Sequence, residues 1–199
     1  VPPGTLGIAD YAFLACGKIE SITFPAGLMS IGSLAFQSCT KLTAADLPSS
    51  LLSLGSAAFR YCSGLVRVTL PSGLAMIGAN AFNGCTKLTS IAIPGTTALV
   101  GQAAFSGCSA LTNATFGAGV ANIGNDAFYS CSKLVAVDIP ASVTNIGNRA
   151  FYGNGSLKTL VLGADVVSIG AEAFRNDYTL TSLVLPARLA TIGDQAFRN

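Results

Sequence analysis

The chain has 199 residues, 51% hydrophobic and 10% charged, with a formal net charge of +2. Half the residues can therefore be buried, and the charge is too small to point to nucleic acid or to an acidic partner. No run of about 18 apolar residues occurs, so no membrane insertion is expected from this segment.

The apolar residues instead recur at short, fixed intervals. In chain order the first recurrent block is an apolar residue followed by glycine. It occupies Ile8, Ile31, Leu54, Ile77, Val100, Ile123, Ile146, Ile169 and Ile192, with Gly32, Gly55, Gly78, Gly101, Gly124, Gly147, Gly170 and Gly193 after all but the first, where Ala9 stands. Four residues beyond the glycine comes Phe13, Phe36, Phe59, Phe82, Phe105, Phe128, Phe151, Phe174 or Phe197, each preceded by alanine. Every step is 23 residues, without insertion or deletion. Three residues after the Phe stand Cys16, Cys39, Cys62, Cys85, Cys108 and Cys131, then Asn154 and Asp177. The unit closes with an L-x-x-I-x-I stretch, such as Leu88 to Ile93, ended by Pro25, Pro48, Pro71, Pro94, Pro140 and Pro186, or by Gly117 and Gly163.

One such unit cannot enclose its own apolar side chains, whereas stacked units bury them against each other. The I-x-I-P stretch has period 2 and predicts a strand with alternate residues inward, which proline ends for want of an N–H. The V-x-x-I-G stretch predicts a second extended segment, its glycine serving a positive φ or a close backbone approach. The spacing in x-x-A-F-x-x-C is near one helical turn and predicts a short helical or 3-10 piece. Strands about 4.8 Å apart make nine coils a rod of roughly 40 Å.

These blocks, I-G-x-x-A-F-x-x-C and L-x-x-I-x-I-P, resemble the BspA-like leucine-rich repeat over essentially the whole chain. The resemblance implies an α/β solenoid: a right-handed stack of about nine 23-residue coils, with a parallel β-sheet on the concave side and short helical turns on the convex side. It also implies exposure at the cell surface or in secretions, with adhesion to cells or matrix proteins. Residues 1–199 read as one solenoid. Val1-Pro2-Pro3 does not open a signal peptide, and the chain reads as a fragment of a longer array.

Six cysteines in an extracellular setting raise the question of disulfides. In an in-register ladder the Cβ vectors run side by side, so free, buried thiols are expected. The chain has no histidine, which removes Ser-His-Asp and Cys-His nucleophile arrangements, and it contains no C-x-x-C. Among the carboxylates, Asp46 and Asp138 share a column but lie about 19 Å apart, too far for paired acid/base work. No enzyme activity, cofactor or metal is expected.

Function then falls to the outward columns. On the strand face the candidate partner-binding residues are Thr23, Asp46, Arg67, Thr69, Asn113, Thr115 and Asp138; Arg67 is the one anchor of the type that dominates binding energies. A second outward column, on the V-x-x-I segment, is unusually apolar and offers Met29, Leu52 and Val167 as lateral contacts. Asn113-Ala114-Thr115 forms an N-glycosylation sequon at an exposed position; Asn154-Gly155-Ser156 lies in the inward cysteine column. Two classes of function follow: a module binding a protein or cell-surface ligand, or a structural element assembling with copies of itself into a filament.

Overall fold

The computed structural model describes residues 1–199. It is a parallel β-solenoid of about 8 turns, and its most continuous sheet is built on the V-x-x-I-G segment. There the inward Ile, Leu or Val ends a two-residue strand, and each strand pairs with its counterpart one period away. Numbered in chain order with the other strands, these are β1 (Gly7–Ile8), β2 (Ser30–Ile31), β4 (Ser53–Leu54), β6 (Met76–Ile77), β8 (Leu99–Val100), β10 (Asn122–Ile123), β12 (Asn145–Ile146), β14 (Ser168–Ile169) and β15 (Thr191–Ile192). They form one nine-stranded parallel sheet. In most coils the glycine after the strand extends the ladder, as where the Gly124 N–H donates to Val100 at 2.8 Å.

The I-x-I-P segment gives longer but interrupted pairing. β3 (Ala44–Asp46) and β5 (Arg67–Thr69) pair with each other, and β7 (Ser90–Ile93), β9 (Asn113–Phe116), β11 (Ala136–Asp138) and β13 (Thr159–Val161) form a four-stranded parallel sheet. Proline closes most of these strands and withholds the next donor. The corresponding segments of the first and last coils, around residues 21–24 and 182–185, are not strands.

The glycine column is required by space. A Cβ on Gly78 would lie 2.8 Å from the backbone of Gly55, and one on Gly124 would lie 2.8 Å from the Val100 carbonyl oxygen. Neither glycine has a positive φ, so close approach of the coils, rather than a left-handed corner, explains them.

The structure overturns the helical reading of x-x-A-F-x-x-C: the chain contains no helix. Alternate residues bond back within the coil, as Ala58 to Gly55, Arg60 to Ala57 and Cys62 to Phe59 at 3.1–3.3 Å. The residues between them donate to the next coil, as Ala57 to Ala79, Phe59 to Ala81 and Tyr61 to Asn83 at 2.7–2.8 Å. An α-helix needs every N–H for its own fourth-previous carbonyl; here half of them stitch coils together. This alternation demands two left-handed residues per coil. The column two before each Phe runs from Tyr11 to Gln195 with φ of 51–60°, and contains no glycine. The column two after each Phe, from Ala15 to Asn176, has φ of 56–75°. Each non-glycine residue there costs about 1–2 kcal/mol, which the inter-coil bonds on either side offset.

The core between the two strand columns and these turns is one cluster of 51 buried residues, so no break divides the rod into separate bodies. Its axis is a ladder of nine Phe rings, stacked at 4.9–5.5 Å between centroids and within 14° of parallel. The alanine before each of Phe36 to Phe174 is fully buried, where any larger side chain would push neighbouring coils apart.

Candidate binding surfaces

The cysteine column explains why six coils share one residue. All six thiols are free, and each of the last five donates to the Phe carbonyl of the preceding coil, for example Cys62 to Phe36 at 3.0 Å and Cys131 to Phe105 at 3.2 Å. Burial pushes the Cys85 and Cys131 thiols well up and that of Cys108 up to about 12. These three thiols are structural donors held in the protonated form. In the next coil Asn154 takes over the task, its Nδ2 reaching the carbonyls of Phe128 at 3.2 Å and Phe151 at 2.7 Å. Its burial also removes it as a glycan acceptor. Asp177 follows in the same column, fully buried, accepting from the Asn154 N–H at 2.8 Å. Desolvation pushes its carboxyl up to about 8.

On the strand face, the structure divides the sequence-predicted residues into two groups. Asp46, Arg67 and Thr69 meet across β3 and β5: Arg67 Nη2 lies 2.7 Å from Asp46 Oδ2, Arg67 Nε lies 3.3 Å from Oδ1, and the Thr69 hydroxyl donates to Oδ1 at 3.0 Å. The guanidinium and hydroxyl hold the Asp46 carboxyl below the usual carboxylate range. Arg67 is therefore already partnered, in an exposed pair of small energetic weight. Asn113, Thr115 and Asp138 line a separate shallow depression of about 390 Å³ over β9 and β11. Thr23 stands apart on the first coil, where its carbonyl accepts from the Val1 amino group. Asn113 and Thr115 are exposed, so the first sequon is accessible.

The apolar side column is exposed as expected at Met29, Leu52 and Val167, and it is larger than the sequence reading gave. Leu6 precedes Met29 in the same column, and Met76 and Leu99 continue the ridge one position over, on β6 and β8. Leu6, Met29, Leu52, Met76 and Leu99 thus present large apolar side chains on five consecutive coils of the nine-stranded sheet.

A third surface escaped the sequence reading because its residues do not recur at one position. All five tyrosines of the chain, Tyr11, Tyr61, Tyr129, Tyr152 and Tyr178, lie on the turn edge within four residues of a repeat Phe. Arg60, Arg149, Arg175 and Arg198 lie there too. Tyr129 and Tyr152 stack at 5.0 Å, the Arg175 guanidinium sits 5.9 Å from the Tyr152 ring centroid, and Asn176 donates to the Tyr152 hydroxyl at 3.1 Å. Arg60 covers the Tyr61 ring at 4.5 Å. Arg149 pairs with Asp126 at 3.0 Å and Arg175 with Glu172. A count by residue type, rather than by column, would have exposed this edge.

No three His, Cys, Asp or Glu side chains converge, and no helix is long and apolar enough to cross a membrane. A parallel solenoid with 23-residue coils, a ring ladder and chemistry confined to its outer columns is a leucine-rich repeat protein. The pattern describing a BspA type leucine rich repeat region matches in six copies, over residues 1–112 and 75–199, and the chain belongs to that family. No curated protein matches it. Among solved structures it is similar to a T. pallidum leucine-rich repeat protein, at 29% identity and a TM-score of 0.77, with 91% of this chain and 86% of the other covered. A leucine rich cell surface protein of Faecalibacterium prausnitzii aligns at 26% identity and a TM-score of 0.56, over 96% of this chain and 60% of the other. A leucine-rich repeat protein of Eubacterium ventriosum shares the fold at 18% identity and a TM-score of 0.76, over 100% of this chain and 63% of the other. The chain thus spans less than two thirds of the length of the last two.

Proposed function

We propose that this chain is a non-catalytic binding module displayed at the cell surface or in secretions, where it adheres to a protein or cell-surface ligand. The observation that carries the reading is the collection of all the tyrosines and most of the arginines on the turn edge. Tyr and Arg are the residues that most often dominate binding energies, above all when held in place before the partner arrives. Tyr129, Tyr152 and Arg175 are held by stacking, by Asn176 and by Glu172. The strand-face cluster of Asp46, Arg67 and Thr69 contributes polarity and register, its charges being already satisfied. The location follows the family and the cell-surface description of the F. prausnitzii relative.

The test is binding of the chain to intact epithelial cells and to immobilised fibronectin, fibrinogen, laminin and collagen. Replacement of Tyr129, Tyr152 and Arg175 together by alanine lowers binding at least tenfold while the circular dichroism spectrum stays unchanged. Absence of binding to all of these surfaces, or an unaffected triple variant, overturns the reading.

A second reading, a structural element in an extracellular filament, rests on the ridge from Leu6 to Leu99. Side-by-side association would remove those five side chains from water. Electron microscopy at high protein concentration shows fibres if it holds, and Leu52→Lys with Met76→Lys abolishes them.

A further inference from the structure

On the I-x-I-P face the backbone ladder is broken between residues 21–24 and β3, between β5 and β7, and between β13 and residues 182–185; the last of these breaks opens into a slot. Above that place the Thr179 hydroxyl donates to Leu157 at 2.8 Å. Below it, Ala190 and Gly193 donate to Val167 and Ile169, each at 2.8 Å, and Phe174 and Phe197 stack at 5.3 Å. Between these closures no backbone group of residues 181–185 makes a hydrogen bond, as donor or as acceptor. The facing wall is β13, the edge of its sheet. β13 gives the Thr159 N–H and the Val161 carbonyl to the β11 side, in bonds of 3.3 and 2.9 Å. Strand alternation therefore turns the N–H and C=O of Leu160 toward the gap.

The unpaired Leu160 N–H and C=O and the unbonded segment 182–185 thus line opposite sides of an open slot of about 800 Å³. Its sides are apolar: Val161 is 50% exposed, Val184 83% and Leu185 46%, an arrangement that leaves strand-forming residues in water. Two cations line it. Arg188 is bound to Asp165 at 2.6 Å, whereas Lys158, at the entry to β13, has no carboxylate within ion-pair reach.

We infer that the slot between β13 and residues 182–185 receives one extended peptide segment of a partner, apolar at alternate positions, with a carboxylate at the end that meets Lys158. The incoming backbone completes the ladder on both walls, the mode in which main-chain bonds supply affinity and alternate side chains supply specificity. Unpaired strand edges invite such pairing, and here two edges share one guest. The site is separate from the turn edge and does not depend on it.

Fluorescein-labelled acetyl-Glu-Val-Thr-Val-Thr-Val-amide is the probe, followed by fluorescence anisotropy, with amide hydrogen exchange on the complex. The expected result is saturable binding that slows exchange at Leu160 and at residues 181–185. A copy N-methylated at alternate residues binds at least tenfold more weakly. Lys158→Glu weakens the probe at least fivefold and regains affinity for the peptide carrying Lys in place of Glu. Val184→Lys, at a position exposed in the free protein, weakens both peptides, and the turn-edge triple variant binds the probe normally.

The inference is overturned by any of four results: no saturation at millimolar peptide, equal affinity of the N-methylated copy, slow exchange at 181–185 in the free protein, or a concentration-dependent dimer that excludes the probe. The first three mean that the slot is only a loosened or closed coil. The fourth means that a second copy of this chain fills it.

Discussion

Asp177 is the side chain most at odds with its surroundings. It occupies the inward column filled by cysteine in six coils and by asparagine in the one before it, and it is fully buried. Its Oδ1 accepts from the Asn154 N–H, and its Oδ2 has no partner. Desolvation raises its pKa from an ordinary 3.8 to about 8 in the fold. The unfolded chain releases this proton near pH 4 and the folded chain near pH 8, so folding retains a proton throughout that window. The stabilisation is complete below pH 4 and is lost as pH rises toward 8. At about 1.4 kcal/mol per pKa unit the loss has an upper bound of about 6 kcal/mol, and water entering the coil reduces it to about 2–4 kcal/mol. Asp177→Asn removes the titration and keeps the shape. Its Oδ1 still accepts from Asn154, and its amide donates as Asn154 does one coil earlier. The variant should match the parent near pH 4 and exceed it by about 2–4 kcal/mol at pH 8 to 9. Urea unfolding followed by circular dichroism, on both proteins in parallel from pH 4 to 9, measures the difference. Parallel stability curves, or a less stable variant at pH 8, would refute the assignment of Asp177 as a buried acid.

Other predictions follow from the stack. Gly78→Ala places a Cβ at 2.8 Å from the Gly55 backbone; with no flexible side chain to yield, it should cost about 3 kcal/mol or more in a urea titration. Phe105→Ala empties the middle of the ring ladder and should cost about 3–5 kcal/mol, splitting thermal unfolding into two steps as the halves uncouple. A thiol-disulfide reagent at pH 8 should react quickly with Cys16 alone, since it is half-buried and the other five are buried. All six react in denaturant, and two or more fast thiols in the native protein would contradict the donor role of the column.

Much of the fold was legible because the core is written in columns. Phe, Ala, Gly and the apolar strand positions recur every 23 residues, and each proves to touch its own copy in the next coil. The sequence reading missed where the hydrogen bonds go. Spacing in Ala-Phe-x-x-Cys mimics a helical turn, because side-chain period alone does not tell whether the Phe59 N–H bonds within its coil or to Ala81 of the next. The left-handed column from Tyr11 to Gln195 was equally hidden, since no glycine or run of asparagine marks it. The relative continuity of the two ladders was hidden for a related reason: the I-x-I-P strands alternate more strongly, but proline truncates their ladder, while the two-residue strands that end before the glycine column lose no donor. Among the candidate binding residues, column position brought Asp46 to Thr69, one period apart, and strand alternation put Arg67 beside them. It did not find the tyrosine edge, whose members occupy four different positions of the repeat.

The ring ladder makes length an independent variable. Each Phe touches a copy of itself, each glycine of the column admits the backbone of a neighbouring coil, and each thiol after the first answers a Phe carbonyl of the coil before it. Inserting or deleting one whole period therefore leaves every kind of core contact intact and changes the reach of the rod by one step of about 5 Å. Any other change of length throws all columns out of phase at once. The molecule is a ruler graduated in 23-residue marks: it can be lengthened or shortened only by whole marks, and doing so moves whatever its ends and edges display without redesigning the interior.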